Sequence, residues 1–322
     1  MTTPALAKLH GSITALITPF IGGEIDRPAF EKIVDYQLRN GTHGIVPCGT
    51  TGESPTLEFE DYHTIFDMSV ALVKGQIPII AGCGTNSTKK TIELTQLAKD
   101  CGADAALIVV PYYNKPTQAG LLAHYTAIHD AVDLPIVIYN VPGRCGSEIA
   151  VDTVCKLAEL PRIIALKDAT SDMSRTSFIK SRVKENFAVL SGEDALAGAC
   201  LAQGGDGCIS VTSNIAPRQC ADMQNAWAAK DMATFFQRQY DLMPLHKALF
   251  VETSPAPVKY GASVLGLCRN ELRLPLVPAS SSAETAVREA MSKLELRAAT
   301  PPQSQFLREE RPPELLQSQG QR

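Results

Sequence analysis

The sequence predicts a (β/α)8 TIM barrel with a small C-terminal helical appendage. Three observations carry that prediction. Apolar runs of strand length alternate with amphipathic runs of helix length along most of the chain, which implies a parallel sheet with helical crossovers. The strand-like runs number eight, the count that closes such a barrel. The loop after the first run, Thr18-Pro19-Phe20-Ile21-Gly22-Gly23, fits no G-x-G-x-x-G, so the phosphate-binding turn of a doubly wound nucleotide fold is missing.

In chain order the strands are predicted over 12–18, 44–47, 78–82, 105–109, 135–140, 163–167, 188–191 and 207–211. Between them, residues 28–40 read as the first helix: Phe30, Ile33, Val34 and Leu38 recur at helical spacing behind Asp26, a candidate N-cap. Residues 58–73, 87–100, 118–132, 151–159, 174–183 and 194–202 read the same way. A degenerate repeat supports the alternation, because 40–45, 101–106 and 204–208 each supply glycine where a helix must stop before a strand. Beyond the eighth strand, 215–250, 255–267 and 282–296 are further helices, more than one barrel requires. The chain is thus divided into a barrel over 1–230, a helical region over 231–299 and a tail over 300–322. The tail holds two Pro-Pro pairs and few apolar residues, and is expected to be disordered.

Composition narrows the function. The chain has 322 residues, 45% hydrophobic and 20% charged, with a formal net charge of −4. That describes a globular chain with a large core and no electrostatic reason to bind nucleic acid or an anionic membrane. No apolar run approaches the length of a membrane span, so a small-molecule substrate is expected. Nine cysteines, odd in number and in apolar or helical contexts, favour reduced thiols in a cytoplasm over a disulfide framework.

In a barrel the chemistry collects on the loops at the C-terminal ends of the strands. The sixth strand, Ile163-Ile164-Ala165-Leu166-Lys167, ends an apolar run in an amine. Strict alternation puts Ile163, Ala165 and Lys167 on one face and Ile164 and Leu166 on the other. Burial disfavours the charged form of an amine, and a neutral lysine facing a cavity is what attack on a carbonyl requires. The plainer alternative is a strand-end lysine whose stem packs while its head reaches water.

After the second strand comes Cys48-Gly49-Thr50-Thr51-Gly52-Glu53-Ser54, two hydroxyls between glycines whose N–H groups can cradle an anion. The P-loop lysine is missing and Glu53 would repel phosphate, so a small carboxylate is the better fit. The fourth strand leads into Pro111-Tyr112-Tyr113-Asn114-Lys115-Pro116, and the fifth into Tyr139-Asn140-Val141-Pro142-Gly143-Arg144-Cys145. Tyrosine and threonine hydroxyls pass protons, and an arginine fork matches a carboxylate. The six histidines are scattered and form no ligand cluster. A metal-free lysine enzyme is expected.

These stretches, with Lys167-Asp168-Ala169-Thr170 and Leu190-Ser191-Gly192-Glu193-Asp194, resemble the dihydrodipicolinate synthase family, pyruvate-dependent lyases related to N-acetylneuraminate lyase. The resemblance runs from about residue 11 to 296 and leaves the tail out. It implies an imine between Lys167 and pyruvate with no separate cofactor, then condensation with L-aspartate 4-semialdehyde to 4-hydroxy-tetrahydrodipicolinate, a step of lysine biosynthesis. By the same resemblance Tyr139, Thr50 and Tyr113 form the proton relay, with Tyr113 entering from a neighbouring subunit. Thr51, Gly192 and the Ile209 backbone meet pyruvate, and Arg144 grips the semialdehyde carboxylate. Arg144 and the Thr50-Thr51 pair resemble the synthase branch in particular.

A homotetramer built from dimers is implied, as is cytoplasmic location. Cys145 departs from the family's usual threonine, which puts its local hydrogen bonding in question. Another pyruvate-dependent aldolase acting on a 2-keto-3-deoxy sugar acid, or a non-catalytic metabolite-binding relative, are the alternatives. Members inhibited by lysine bind it at positions matching Ser54, Pro55, Phe59, Tyr62, Asn86, Lys90 and Tyr112. The counterparts of Phe59 and Tyr62 there are histidines and that of Lys90 is a glutamate, so weak or absent inhibition is expected here.

Overall fold

The computed structural model describes residues 8–297; the predicted tail lies outside them. Eight parallel strands form one sheet: β1 Gly11–Ala15, β2 Gly44–Val46, β3 Ile80–Gly82, β4 Ala105–Val109, β5 Ile136–Asn140, β6 Ile163–Asp168, β7 Ala188–Ser191 and β8 Gly207–Ser210. β1 lies between β2 and β8, and the order then runs β8 to β3. A parallel bridge from Ile45 to Ile79 closes the ring between β2 and β3. The fold is the predicted TIM barrel, with every predicted strand present and boundaries within three residues.

Two apolar layers follow from the period-two alternation of the strands. Inside the barrel pack Ile13, Val46, Ile80, Leu107, Val137, Ala165, Leu190 and Ile209. Outside it, Ile45, Ala106, Ile138, Leu166 and Val189 pack beneath the helices. The first helix, Arg27–Arg39, starts where Asp26 accepts a hydrogen bond from Ala29 N at 3.1 Å, as its sequence requires.

Strict alternation fails at one place. Ile163 pairs with Ile136 but Ala165 pairs with Val137, a register shift of one residue. Ile163 therefore packs in the outer layer with Leu166, and Ile164 leans on the inner cluster. From Ala165 onward the alternation resumes, so Lys167 still points inward.

The predicted helix over 215–250 is two helices, Pro217–Ala228 and Met232–Ala248. They separate where Lys230 takes a positive φ of 62° and Asp231 caps the second helix by accepting from Thr234 N at 3.1 Å. The predicted helix over 194–202 opens as a 3₁₀ turn, Asp194–Leu196, before Ala197–Ala202. There the Asp194 carboxylate is drawn inward by Val211 N at 2.9 Å and Thr212 N at 3.2 Å.

A small hairpin, Phe20–Ile21 with Glu24–Ile25, lies in the loop after β1. Its turn, Gly22-Gly23, has φ of 60° and 84°, a glycine-pair signal legible in the sequence. Helices Ala256–Val264 and Ser281–Lys293 complete the C-terminal region. Among the described residues no helix is long and apolar enough to cross a membrane.

Candidate active site

Lys167 occupies the last inward-facing position of β6, opposite Tyr139 on β5 and Leu190 on β7. Lys167 and Tyr139 are both buried, at 5% and 6% exposure. The Lys167 ammonium nitrogen stands 4.2 Å above the Tyr139 ring centroid. The amine therefore sits on the floor of the barrel mouth, walled by aromatic and aliphatic groups, with a phenol beside it.

The following residues of both strands are tied together. Asn140 Nδ2 donates to Asp168 Oδ1 at 3.0 Å, and Arg175 Nε donates to Asp168 Oδ2 at 2.8 Å. Arg175 Nη2 reaches the Ile149 carbonyl at 2.9 Å, and Asn140 Oδ1 accepts from Ile149 N at 3.2 Å. The sequence signal for Asp168 and Asn140 is their adjacency to Lys167 and Tyr139.

Gly192 N donates to the Asp168 carbonyl at 2.7 Å, and a Cβ at Gly192 would lie 2.8 Å from Ala169 Cβ. Only glycine lets the β7 loop approach the β6 end this closely. Ile209 is buried on β8 in the same inner cluster as Tyr139. Thr51 is buried at 4% and Thr50 is half-buried in the turn after β2, which closes through Gly52 N to Gly49 O at 3.0 Å and Glu53 N to Thr50 O at 3.1 Å.

Glu53 does not face an anion as its position suggested. Its side chain turns away into a buried ion pair with Lys259, 2.5 Å apart, so the charge that would repel an anion is neutralised elsewhere.

Arg144 is exposed on the loop after β5 and makes one long contact, Nη2 to the Ser254 carbonyl at 3.5 Å. A cavity of about 550 Å³ is lined by Thr50, Val141, Arg144 and Cys145 together with Ser54, Tyr62, Asn86 and Lys90. The Glu193 carboxyl, outside that lining, is pushed up by burial and by Asp194, while Lys167 and Arg144 pull it back.

The Cys145 thiol is buried and pushed up to about 11 by burial, with Arg144 pulling it down, so it is neutral at ordinary pH. The backbone of Cys145 bonds to Val141 O at 3.0 Å and accepts from Tyr113 N at 3.4 Å, contacts that do not need a threonine side chain.

Tyr113 lies in the loop after β4, outside the buried group around Lys167. It is 88% exposed with a positive φ of 71°, while its neighbour Tyr112 lines the cavity. Among the described residues, His63, Asp67 and Cys101 are the one trio close enough to share an ion. They lie on the outer helices Phe59–Val73 and Thr88–Cys101, not at the barrel mouth.

The sequence model of the dihydrodipicolinate synthetase family matches residues 8–294. The chain belongs to that family. A protein of Rhodospirillum centenum named 4-hydroxy-tetrahydrodipicolinate synthase is 56% identical over 284 residues, 88% of this chain and 98% of that one. The crystal structure of dihydrodipicolinate synthase from Aquifex aeolicus superposes with a TM-score of 0.88 at 45% identity, covering 91% of this chain and all of that one. The chloride-inhibited dihydrodipicolinate synthase of Acinetobacter baumannii, solved with pyruvate, gives a TM-score of 0.87 at 43% identity over 89% and 99% of the two chains. The residues described here come from strands β5, β6 and β8 and from the loops after β2, β5 and β7, a set that sequence order scatters over about 160 residues.

Proposed function

We propose that this dihydrodipicolinate synthetase family enzyme condenses pyruvate with L-aspartate 4-semialdehyde to 4-hydroxy-tetrahydrodipicolinate, through an imine on Lys167. The observation that carries the reading is the Lys167 amine, buried at the end of β6 and 4.2 Å above the Tyr139 ring. Both substrates are small anions or zwitterions, and the mouth offers Thr51, the Gly192 loop and Arg144 to hold carboxylates.

The neutral Lys167 amine attacks C2 of pyruvate, and one water leaves as the imine forms. Loss of a C3 proton gives the enamine. Its C3 bonds to the aldehyde carbon of the semialdehyde, and the oxygen formed takes a proton. The substrate amine then attacks the imine carbon and closes the ring as the Lys167 nitrogen departs with its proton. Tyr139 stands beside the amine to move protons at each stage, with Thr50 next in line. No electron transfer occurs, so no redox group is required.

Tyr113 is read as the relay's third hydroxyl, acting in a neighbouring subunit, which fits a tyrosine held out in solvent. A homotetramer built from dimers is supported by a second surface. Phe236 and Tyr240 on helix Met232–Ala248 are exposed and stack on each other, an apolar face suited to another copy. All nine cysteines are unpaired, in keeping with a reducing cytoplasm.

Borohydride added with pyruvate should reduce the imine and leave a pyruvate-derived mass on the peptide containing Lys167. Lys167→Ala should abolish both the tag and turnover. A tag on another lysine would overturn the reading, and the rate of semialdehyde-dependent turnover against a panel of sugar-derived aldehydes checks the second substrate.

A further inference from the structure

Glu53 follows the Thr50-Thr51-Gly52 turn, and the structure buries it completely. Lys259, equally buried on helix Ala256–Val264, stands 2.5 Å from Glu53 Oε1. Glu53 Oε2 accepts from Arg273 N at 3.0 Å. Lys259 donates also to the Glu271 carbonyl at 2.6 Å and lies 4.2 Å over the Phe20 ring. The turn itself is strained at both ends, with φ of 54° at Cys48 and 61° at Glu53, values that side-chain-bearing residues rarely adopt. A third tether, Thr18 Oγ1 donating to Gly52 O at 2.8 Å, holds its middle.

An ion pair removed this fully from water is a weak source of stability, since an uncharged pair of similar volume often serves as well. Burial pulls the Lys259 ammonium below its usual range and Glu53 holds it up. What the pair does supply is direction, because a buried charge tolerates few positions for its partner. We propose that Glu53 and Lys259 are a positioning pair for the pyruvate site. They fasten the strained Thr50-Thr51 turn to the C-terminal helices, so the helical region outside the barrel sets where the Thr51 backbone and hydroxyl meet the substrate. The proposal rests on Lys167 as the imine-forming residue, and it gives the C-terminal region a part in the active site.

The full chain is compared with Glu53→Gln/Lys259→Met, which removes both charges, by thermal melting, by pyruvate KM and kcat, and by the rate of borohydride trapping at limiting pyruvate. The double variant should melt within a few degrees of the parent. Its pyruvate KM should rise about 10-fold or more and its trapping rate should fall to match, with a smaller change in kcat. Thr18→Val loosens the same turn without touching a charge and should raise KM several-fold, which keeps the test decisive if the double variant does not fold. Parental KM and trapping in a folded double variant, or in Thr18→Val, would overturn the proposal. So would a loss of activity that only follows the folded fraction. The parent is trapped alongside: absence of the tag on its Lys167 would overturn the imine reading itself, whereas a tagged parent with an unaltered variant overturns only the clamp.

Discussion

Among the described residues Arg144 has no close partner beyond the 3.5 Å contact to the Ser254 carbonyl, so its fork can turn to a bound carboxylate at little expense in broken contacts. Lys167, by contrast, is buried between Tyr139 and Leu190, where the proposed imine would form. On the proposed function the two substrates would fall to different cations. Arg144→Ala should lower kcat/KM for the semialdehyde roughly 10²-fold while borohydride trapping of pyruvate on Lys167 persists; equal loss of both would move Arg144 to the pyruvate half. At the histidines, pH enters through burial. His124 is pulled down from 6.5 to about 4 by desolvation, and its Nδ1 pairs with the Thr88 hydroxyl at 2.9 Å. Because the folded pKa is the lower one, the stability this ring contributes is complete above pH 6.5 and is lost as pH falls toward 4, where the unfolded chain takes up a proton that the folded chain refuses. Burial shifts His43 and His246 downward as well, so they act with the same sign. The melting temperature should be flat between about pH 6.5 and 8 and decline below that range, with a shallower decline in His124→Gln; an unaltered slope would place the acid sensitivity elsewhere.

The strand ends at the barrel mouth owe their positions to polar ties that periodicity cannot reveal. Apolar patterning located β4 and β7 to the residue, with β4 opening after Asp104 and β7 closing before Gly192. It misplaced Ile163 and Ile164, since a one-residue register shift against β5 is decided by the neighbouring strand and not by the local sequence. Likewise Arg175 looked like an ordinary helix residue, yet it is buried at 7% exposure and bonds Asp168, Ile149 and Glu148, the last at 3.0 Å. Through Asp168 and Asn140 it couples the helix Ser174–Lys180 to the ends of the strands bearing Lys167 and Tyr139. Arg175→Met removes the cation and leaves the Asp168 carboxylate buried, still bonded to Asn140 but without its charge partner. Urea melts should show a loss of about 3–5 kcal/mol. A loss under about 1 kcal/mol would mean that Asn140 and water satisfy Asp168 unaided.

Across the whole molecule, the barrel was legible because its eight units repeat one pattern, while the candidate site stands out in the sequence because its loops carry reactive residue types next to glycine and proline. What stayed hidden were long-range pairings such as Glu53 with Lys259, which no spacing encodes, and the break at Lys230, where a left-handed residue interrupts an apolar pattern that continues on either side. The same whole-chain view bears on regulation. The 550 Å³ cavity beside the mouth includes Ser54, Tyr62, Asn86 and Lys90, positions that resemble the lysine site of regulated family members, and it also includes Glu93. Glu93 lies one turn beyond Lys90 on the helix Thr88–Cys101 and is the one carboxylate lining this cavity, against the cations of Lys90 and Arg144. It already has Lys89 at 3.9 Å. The lining charges therefore sum to a positive value, and a lysine ligand, itself a net cation, enters against repulsion. His63 offers no substitute, being 55% exposed at its side chain and turned toward Asp67, 3.5 Å away. L-lysine should leave the initial rate nearly unchanged at sub-millimolar concentration, and Lys90→Glu should make the enzyme distinctly more sensitive by reversing the sign of the cavity. Strong inhibition of the parent, or no gain in Lys90→Glu, would show that Glu93 already supplies the anion and that Lys90 does not decide the response.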